Sequence, residues 1–385
     1  MRRFLSITFL VIAIAIAVLV SLPRIVEERE NSVWKRPPYP ASDRARALHH
    51  TLVVADLHGD SLLWGRDLLE RRSYGHVDIP RLVEANVALQ VFSLPTKSPR
   101  GLNIESNDDK TDNITLLAIV DLWPPATWNS LTQRALYQSR RLHRMAGNSL
   151  GQFMVIETAA DLSRYLEFRQ RHPNITAGLL SIEGAHALDG NLENLDVLYQ
   201  AGYRMMSPAH FFDNDIGGSA AGVHKTGLTE KGREWVRQME ARKMIVDLAH
   251  ASPKTIDDVL AVATRPVIVS HTGVKGTCNN NRNLSDDQIR AIAGKGGLIG
   301  IGYWDTATCG RDARAIVDAM RYVSDRVGVE HVALGSDFDG AVKEPFDTTG
   351  LVQITEALLA SGYSEQDIRM IMGENVIRFL QANLP

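Results

Sequence analysis

The chain has 385 residues, 44% of them hydrophobic and 23% charged, with a net charge of −3. That is the balance of an ordinary globular protein, long enough to bury a full core in one large α/β domain or two smaller ones. No Lys/Arg-rich run provides the basic footprint of a nucleic-acid binder, and no solenoid-length repeat or long low-complexity tract is present.

The amino terminus differs from the remainder. Arg2 and Arg3 precede an apolar run from Phe4 to Leu22. As a helix that run would be roughly 28 Å long, close to the thickness of a bilayer core. It is longer than a usual signal-peptide core, and no A-x-A cleavage site directly follows it. Residues 1–22 are therefore expected to form an uncleaved membrane-spanning signal-anchor, with a cleaved signal peptide as the rival. Arg24, Arg29, Lys35 and Arg36 on the far side outnumber Arg2 and Arg3, so charge does not settle the orientation. The polar, proline-containing stretch 23–44 reads as a linker, and 45–385 as the folded domain.

From there a strand-like theme recurs. Apolar runs fall at Leu52–Leu57, Val87–Leu94, Ala177–Ile182, Tyr203–Ser207, Met244–Leu248, Pro266–Ser270, Gly297–Tyr303 and His331–Gly335. Amphipathic helical stretches lie between most of them, including Leu192–Gln200, Thr229–Arg242, Asp286–Ala293, Asp312–Arg326 and Gly350–Ala360. Alternation of this kind predicts an α/β fold, a closed (β/α)₈ TIM barrel. The interval 97–172 is too long for one connection. It reads as an excursion with helices at Leu131–Met145 and Ala159–Arg171 and a polar, exposed loop around Asn107–Asp112. A last helix, Glu365–Gln381, would close the barrel.

The ends of these runs carry the chemistry. The unit MIVDLAH-ASPKTIDDVLAVATR-PVIVSHTG places His250 and His271 at the ends of two consecutive strands. The first run ends in His58 and Asp60, the third in Glu183, the fourth in His210 and the last in Asp337. In parallel α/β folds the carboxyl ends of the strands form the functional face. Any one of these groups alone is more simply a hydrogen-bonded or core residue. Together they form a His/carboxylate set suited to zinc or a similar divalent metal. Glu183, with two oxygens, is the natural bridge between two ions. Two ions about 3.5–4 Å apart can hold a hydroxide and polarise a carbonyl. Asp337 is then the candidate proton carrier and His210 the candidate oxyanion donor. His186 reads as a support behind the ligands, Asp56 and Asp247 as paired acids inside the barrel, Asp215 and Asp339 as loop or capping carboxylates, and His331 as structural. Cys278 and Cys309 belong to no C-x-x-C pair. A bridge between them would close a loop of about 31 residues, worth roughly 3–4 kcal/mol. Two separate core thiols fit the sequence equally well.

The ordered set H-x-D (His58, Asp60), EG-x-H (Glu183 to His186), DLAH (Asp247 to His250), Ser270-His271, Arg282-Asn283 and G-x-DFDG (Gly335 to Gly340) resembles the membrane dipeptidase, or renal dipeptidase, family. These are binuclear zinc peptidases of the amidohydrolase superfamily, and the likeness runs from about Leu52 to Leu380. By position, the resemblance implies two Zn²⁺ per chain, with His58 and Asp60 on one, His250 and His271 on the other, and Glu183 between them. It places His210 on the substrate and the tetrahedral intermediate, and Asp337 as acid/base. It places Arg282 on the substrate's terminal carboxylate, a role that suits a guanidinium fork. The implied substrate is a free dipeptide, including one with a C-terminal D-residue, and some members open β-lactam rings. A homodimer is implied as well. The two cysteines fall near a bridged pair of animal members, which favours a disulfide and a domain outside the cytoplasm.

There are departures: DLHGD and EGAH differ from some relatives, 97–172 has no match, and no apolar tail follows the last helix. Attachment to a membrane would therefore run through the amino terminus, and cleavage there would leave a secreted or periplasmic protein. Two other readings are kept: another amidohydrolase, such as an N-acyl amino acid deacylase, and a membrane-tethered binding protein without catalysis.

Overall fold

The computed structural model describes residues 21–385. The expected membrane-spanning segment 1–22 lies outside the described residues except for its last two. Among the described residues no helix is long and apolar enough to cross a membrane.

Among the described residues nine strands run β1 Val54–Asp56, β2 Val87–Phe92, β3 Phe153–Val155, β4 Thr176–Ile182, β5 Tyr203–Met206, β6 Ile245–Val246, β7 Ile268–Thr272, β8 Leu298–Ile301 and β9 Val332–Leu334. Every pairing is parallel. The sheet order is β6-β5-β4-β2-β1-β9-β8-β7. A bridge between Asp247 and Ile268 joins the two ends, so the sheet closes on itself. All eight expected runs contain a strand of this ring. β3, which the sequence reading missed, pairs only with β4. The strands of the ring are short, mostly rich in Val, Ile, Leu and Ala, and buried on both faces, the condition of a parallel sheet covered by helices, whereas β3 leaves Met154 exposed.

One end of the ring is plugged. Val376, Phe379 and Leu380 cluster with Ala55, Leu89, Ala177, Leu298 and Ala333 from five strands. The contacts lie at strand starts: Asn375 Nδ2 donates to Val332 O at 2.8 Å, and Arg265 Nη2 to Asn383 O at 2.6 Å. The helix expected over Glu365–Gln381 is broken into Glu365–Arg369 and Asn375–Asn383 around a wide turn. The cause is Gly373, where a Cβ would stand 1.9 Å from Val53 O at the foot of β1. With the amino-terminal end stopped, only the carboxyl end is open for chemistry.

Residues 23–44, expected as a linker, are folded against the barrel. Residues 21–30 are helical, and Glu27 is buried in an ion pair with Arg66, which also pairs with Asp339. Trp34 N donates to Glu344 O at 2.7 Å, and Glu344 N to Ser32 O at 3.0 Å. A buried arginine needs its counter-charges, and one of them comes from this stretch.

The expected exposed loop at Asn107–Asp112 is found, with Asp108, Asp109 and Lys110 exposed, but it is anchored at both ends. Asn107 is buried, its backbone and side-chain nitrogens both donating to Ala221 O. Asp112 caps the helix Asn113–Val120 and accepts from Arg134 at 2.6 Å.

His49 ties the first barrel helix, Asp43–His49, to its neighbours. Its Nε2–H donates to Ala85 O at 3.0 Å and its Nδ1 accepts from Thr355 Oγ1 at 2.8 Å. Burial lowers its pKa from 6.5 to about 4. Between those values protons bind the unfolded chain preferentially, so stability present above pH 6.5 is lost as pH falls toward 4. The expected loss is on the order of 3 kcal/mol. Urea denaturation at pH 7 and pH 4 should show it shrinking in His49→Gln.

Candidate metal centre

Six strand ends, those of β1, β4, β5, β6, β7 and β9, deliver groups to the open face, and all are buried: His58, Asp60, Glu183, His210, His250, His271, Arg282 (from the turn after β7) and Asp337. Two pivots are left-handed, His250 at φ 62° and Asp337 at φ 66°. Such backbone is uncommon for residues other than glycine and is typical of functional turns. In the G-x-DFDG turn a Cβ on Gly340 would lie 2.2 Å from Asp337 Oδ1, so glycine there makes room for the carboxylate. Asp56 and Asp247 set these ends. Asp56 Oδ1 accepts from His58 N and Ser336 N, and Asp247 Oδ1 from Ala249 N and Ser270 N. That agrees with interior acids that shape the site rather than line it.

Glu183 is the hub. Its Oε1 stands 3.5 Å from His58 Nε2, 3.2 Å from His250 Nε2 and 3.4 Å from His271 Nε2. Its Oε2 is 3.1 Å from His210 Nε2. His58 Nε2 is also 3.5 Å from Asp60 Oδ1 and 3.7 Å from Asp337 Oδ1. His250 and His271 bring their Nε2 atoms to 2.9 Å. Behind them Ser270 Oγ lies 2.9 Å from His271 Nδ1 and 3.4 Å from His58 Nδ1, orienting two rings at once.

The electrostatics ask for a cation. His58 Nε2, Asp60 Oδ1 and Glu183 Oε1 are buried without a hydrogen-bond partner, although buried polar atoms are normally satisfied. Burial, then Asp60, raises the Glu183 carboxyl well above its usual range. Asp337 is pushed up to about 7, by burial first and then by Asp60 against the opposing pull of His58. Burial would discharge His58, but Glu183 and Asp60 outweigh it and lift that imidazole to about 10. Burial keeps His210, His250 and His271 well below 6.5 and therefore neutral, the form that binds metal. Three triads have ligand atoms within 4.8 Å of one another: His58-Glu183-His271, Glu183-His210-His250 and His58-Asp60-Asp337. This donor set of imidazole and carboxylate fits a divalent ion, and Glu183 belongs to two of the triads.

Arg282 is buried beside this cluster. Its Nη2 donates to His271 O at 2.8 Å, its guanidinium carbon is 5.8 Å from the Trp304 ring centre, and its side chain lines the same cleft. Asn283 pins its turn: Oδ1 accepts from Gly273 N, and Nδ2 donates to Cys278 O and Ala307 O. Cys278 and Cys309 are bridged, tying that turn to the helix Asp305–Thr308. A Cys278→Ser/Cys309→Ser protein should lose roughly 3–4 kcal/mol in urea denaturation. Its KM should rise more than its kcat falls, because the loosened turn carries Arg282.

Other expectations are sorted by position. His186 is buried with its ring 4.7 Å from that of Phe212 and no hydrogen bond to either nitrogen, so no bond links it to a ligand. His331 sits at the foot of β9, bonded to Gly297 O. Asp215 pairs with Lys231 on the surface. Asp339 is a loop carboxylate, but a fully buried one: it accepts from Ser61, Arg66 and the backbone of His76 and Val77. The sequence reading passed over Leu63, Leu102, Ile104 and Trp304, which line the cleft of about 210 Å³ above the cluster. No local pattern marks them, since apolar residues in loops are common.

Residues 42–383 match the model of the membrane dipeptidase family, peptidase family M19. The chain is 33% identical over 255 residues to an uncharacterised protein from the region 5′ of pqqA in Klebsiella pneumoniae, covering 62% of this chain and 92% of that one. It is 31% identical over 319 residues to dipeptidase tcpJ of Claviceps purpurea, covering 80% of this chain and 69% of that one. Among solved structures it is similar to dipeptidase AC, a family M19 metallopeptidase, with TM-score 0.72 and 26% identity over 87% of this chain and 99% of that one. A Rhodobacter sphaeroides metallopeptidase, solved with a phosphinate mimic of the dipeptide L-Ala-D-Ala, gives TM-score 0.72 and 25% identity over 86% of this chain and 99% of that one.

Proposed function

The chain belongs to the membrane dipeptidase family and is a metallodipeptidase; on that premise we propose a centre of two zinc ions that cleaves free dipeptides, including those with a C-terminal D-residue. The observation that carries the metal assignment is Glu183, whose unpartnered Oε1 is approached by three imidazole nitrogens. His58 and Asp60 would hold one ion, His250 and His271 the other, and Glu183 both. When bound, such a pair supplies a water acidic enough to attack at neutral pH and polarises the scissile carbonyl.

The remaining work falls to the chain's own residues. Asp337 accepts the attacking water's proton and delivers it to the leaving amine, so its carboxylate must be ionised in the resting enzyme. His210, kept neutral by burial, donates a hydrogen bond to the developing oxyanion. Arg282 pairs with the substrate's terminal carboxylate, and because that guanidinium is fixed, the distance from carboxylate to scissile bond is fixed too. The apolar run ending at Leu22, and the disulfide, support anchoring through the amino terminus with the catalytic domain outside the cytoplasm.

The test joins metal analysis of the full chain in detergent with hydrolysis of Gly-D-Ala and L,L-dipeptides, with a tripeptide and an N-blocked dipeptide as controls. Two zinc per chain and cleavage of free dipeptides alone would establish the reading. Two zinc without dipeptide cleavage would overturn the substrate assignment and direct the search to N-acyl amino acids. In Arg282→Ala, kcat/KM for dipeptides should fall about 10–100-fold, the value of a charge-assisted pair, and far less for dipeptide amides.

A further inference from the structure

Beyond the metal-ligating groups, the lining of the cleft divides by origin. One part is the Arg282 turn with Trp304. The other is uncharged and mainly apolar: Leu63 from the loop after β1, with Leu102, Ile104 and Ile114 from the excursion between β2 and β4, which also contributes the polar Ser98 and Asn103. No charged residue of the excursion lines the cleft. Leu102 stands 42% exposed at its rim, uncovered by any other part of the described chain.

This wall is built rather than loose. Asn103 Oδ1 accepts from the backbone of Glu105 at 2.9 Å and Ser106 at 2.8 Å, closing a tight turn. Asn107 fastens the turn to Ala221 O through two bonds of 2.8 and 3.0 Å. Lys225 Nζ donates to Glu105 O at 2.6 Å, and Asn281 Nδ2 to Glu105 Oε2 at 2.7 Å. The carboxylate of Glu105 is thereby engaged by the residue next to Arg282, while its neighbours Leu102 and Ile104 line the cleft.

We propose that Leu63, Leu102, Ile104 and Ile114 form a side-chain subsite that makes this enzyme selective for dipeptides carrying one large, uncharged, apolar side chain. The proposal rests on the dipeptidase reading above. An apolar side chain placed against this wall leaves water. A charged one would lose its hydration with no counter-charge on the wall to replace it.

The test compares kcat/KM of the zinc-loaded full chain on Gly-Gly, Gly-Leu, Leu-Gly, Gly-Asp and Asp-Gly. One leucyl dipeptide should exceed Gly-Gly by about tenfold or more, and its aspartyl counterpart should fall below Gly-Gly. Leu102→Asn and Ile104→Asn, both at loop positions, should each reduce the leucyl-to-glycyl ratio several-fold. Leucyl dipeptides no better than Gly-Gly, or a ratio unmoved in both variants, would overturn the subsite. Failure to cleave any of the five would instead overturn the dipeptidase reading on which it rests.

Discussion

Glu183→Gln should lower kcat/KM by about 10⁴-fold and strip the protein of most of its zinc. A partner that merely orients one metal ligand is worth about 10–100-fold. In the proposed two-ion centre Glu183 would serve both ions, so its loss would be felt at least twice. The substitution keeps the shape of the side chain and removes only its charge. Because burial penalises that charge in the metal-free protein, the apo variant should be at least as heat-stable as the apo parent. Metal content, steady-state rates and a melting curve on one preparation check all three. An inactive variant that melts well below the apo parent would point to misfolding instead, and one that retains both zinc ions would remove Glu183 from the bridging position.

Asp337→Asn should cost about 10²–10⁴ in kcat, the usual share of general acid–base catalysis, with metal content unchanged. Asparagine is the informative replacement because it tolerates the left-handed backbone at this position. The pH profile separates a proton carrier from a structural group. The Asp337 carboxyl is pushed up to about 7 among its protein neighbours, and cations nearby would draw that value down. Activity of the parent should therefore fall as pH drops through an acid limb at or below about 7. That limb should vanish in the variant. A limb that persists unchanged in Asp337→Asn would assign the titration to another group.

Much of the site was legible because its signals are local. An apolar strand run that ends in His or a carboxylate needs only a few consecutive residues to be seen, and the ring then brings such ends together without further instruction. His58, Glu183, His250 and His271 were read in this way, and they meet. What escaped depends on partners far away in sequence. Asn107 looks like an exposed loop residue until Ala221 accepts both its donors. Asp339 looks like a turn carboxylate until Arg66, itself paired with Glu27, fills its pocket. Gly373 looks like an interruption tolerated within a helix, yet the backbone at Val53 leaves room for no other residue. The cysteine pair was undecidable from spacing, since nothing in either flanking sequence reports the distance between the Arg282 turn and the helix at Asp305–Thr308.

The amino-terminal stretch has a mechanical consequence. Glu27 grips Arg66, Arg66 grips Asp339, and Asp339 lies two residues beyond Asp337 in the same turn. A few residues on, Ser32 and Trp34 are laddered to Glu344 at the far side of that turn. Tension applied at the amino terminus would thus follow a load path straight to the backbone that carries Asp337, the proposed proton carrier, and not to a slack leash. A protein shortened to the family-matched region from residue 42 would lack Glu27 and this ladder, leaving Arg66 short of a counter-charge. Its activity would report on an active-site turn released from its fastening.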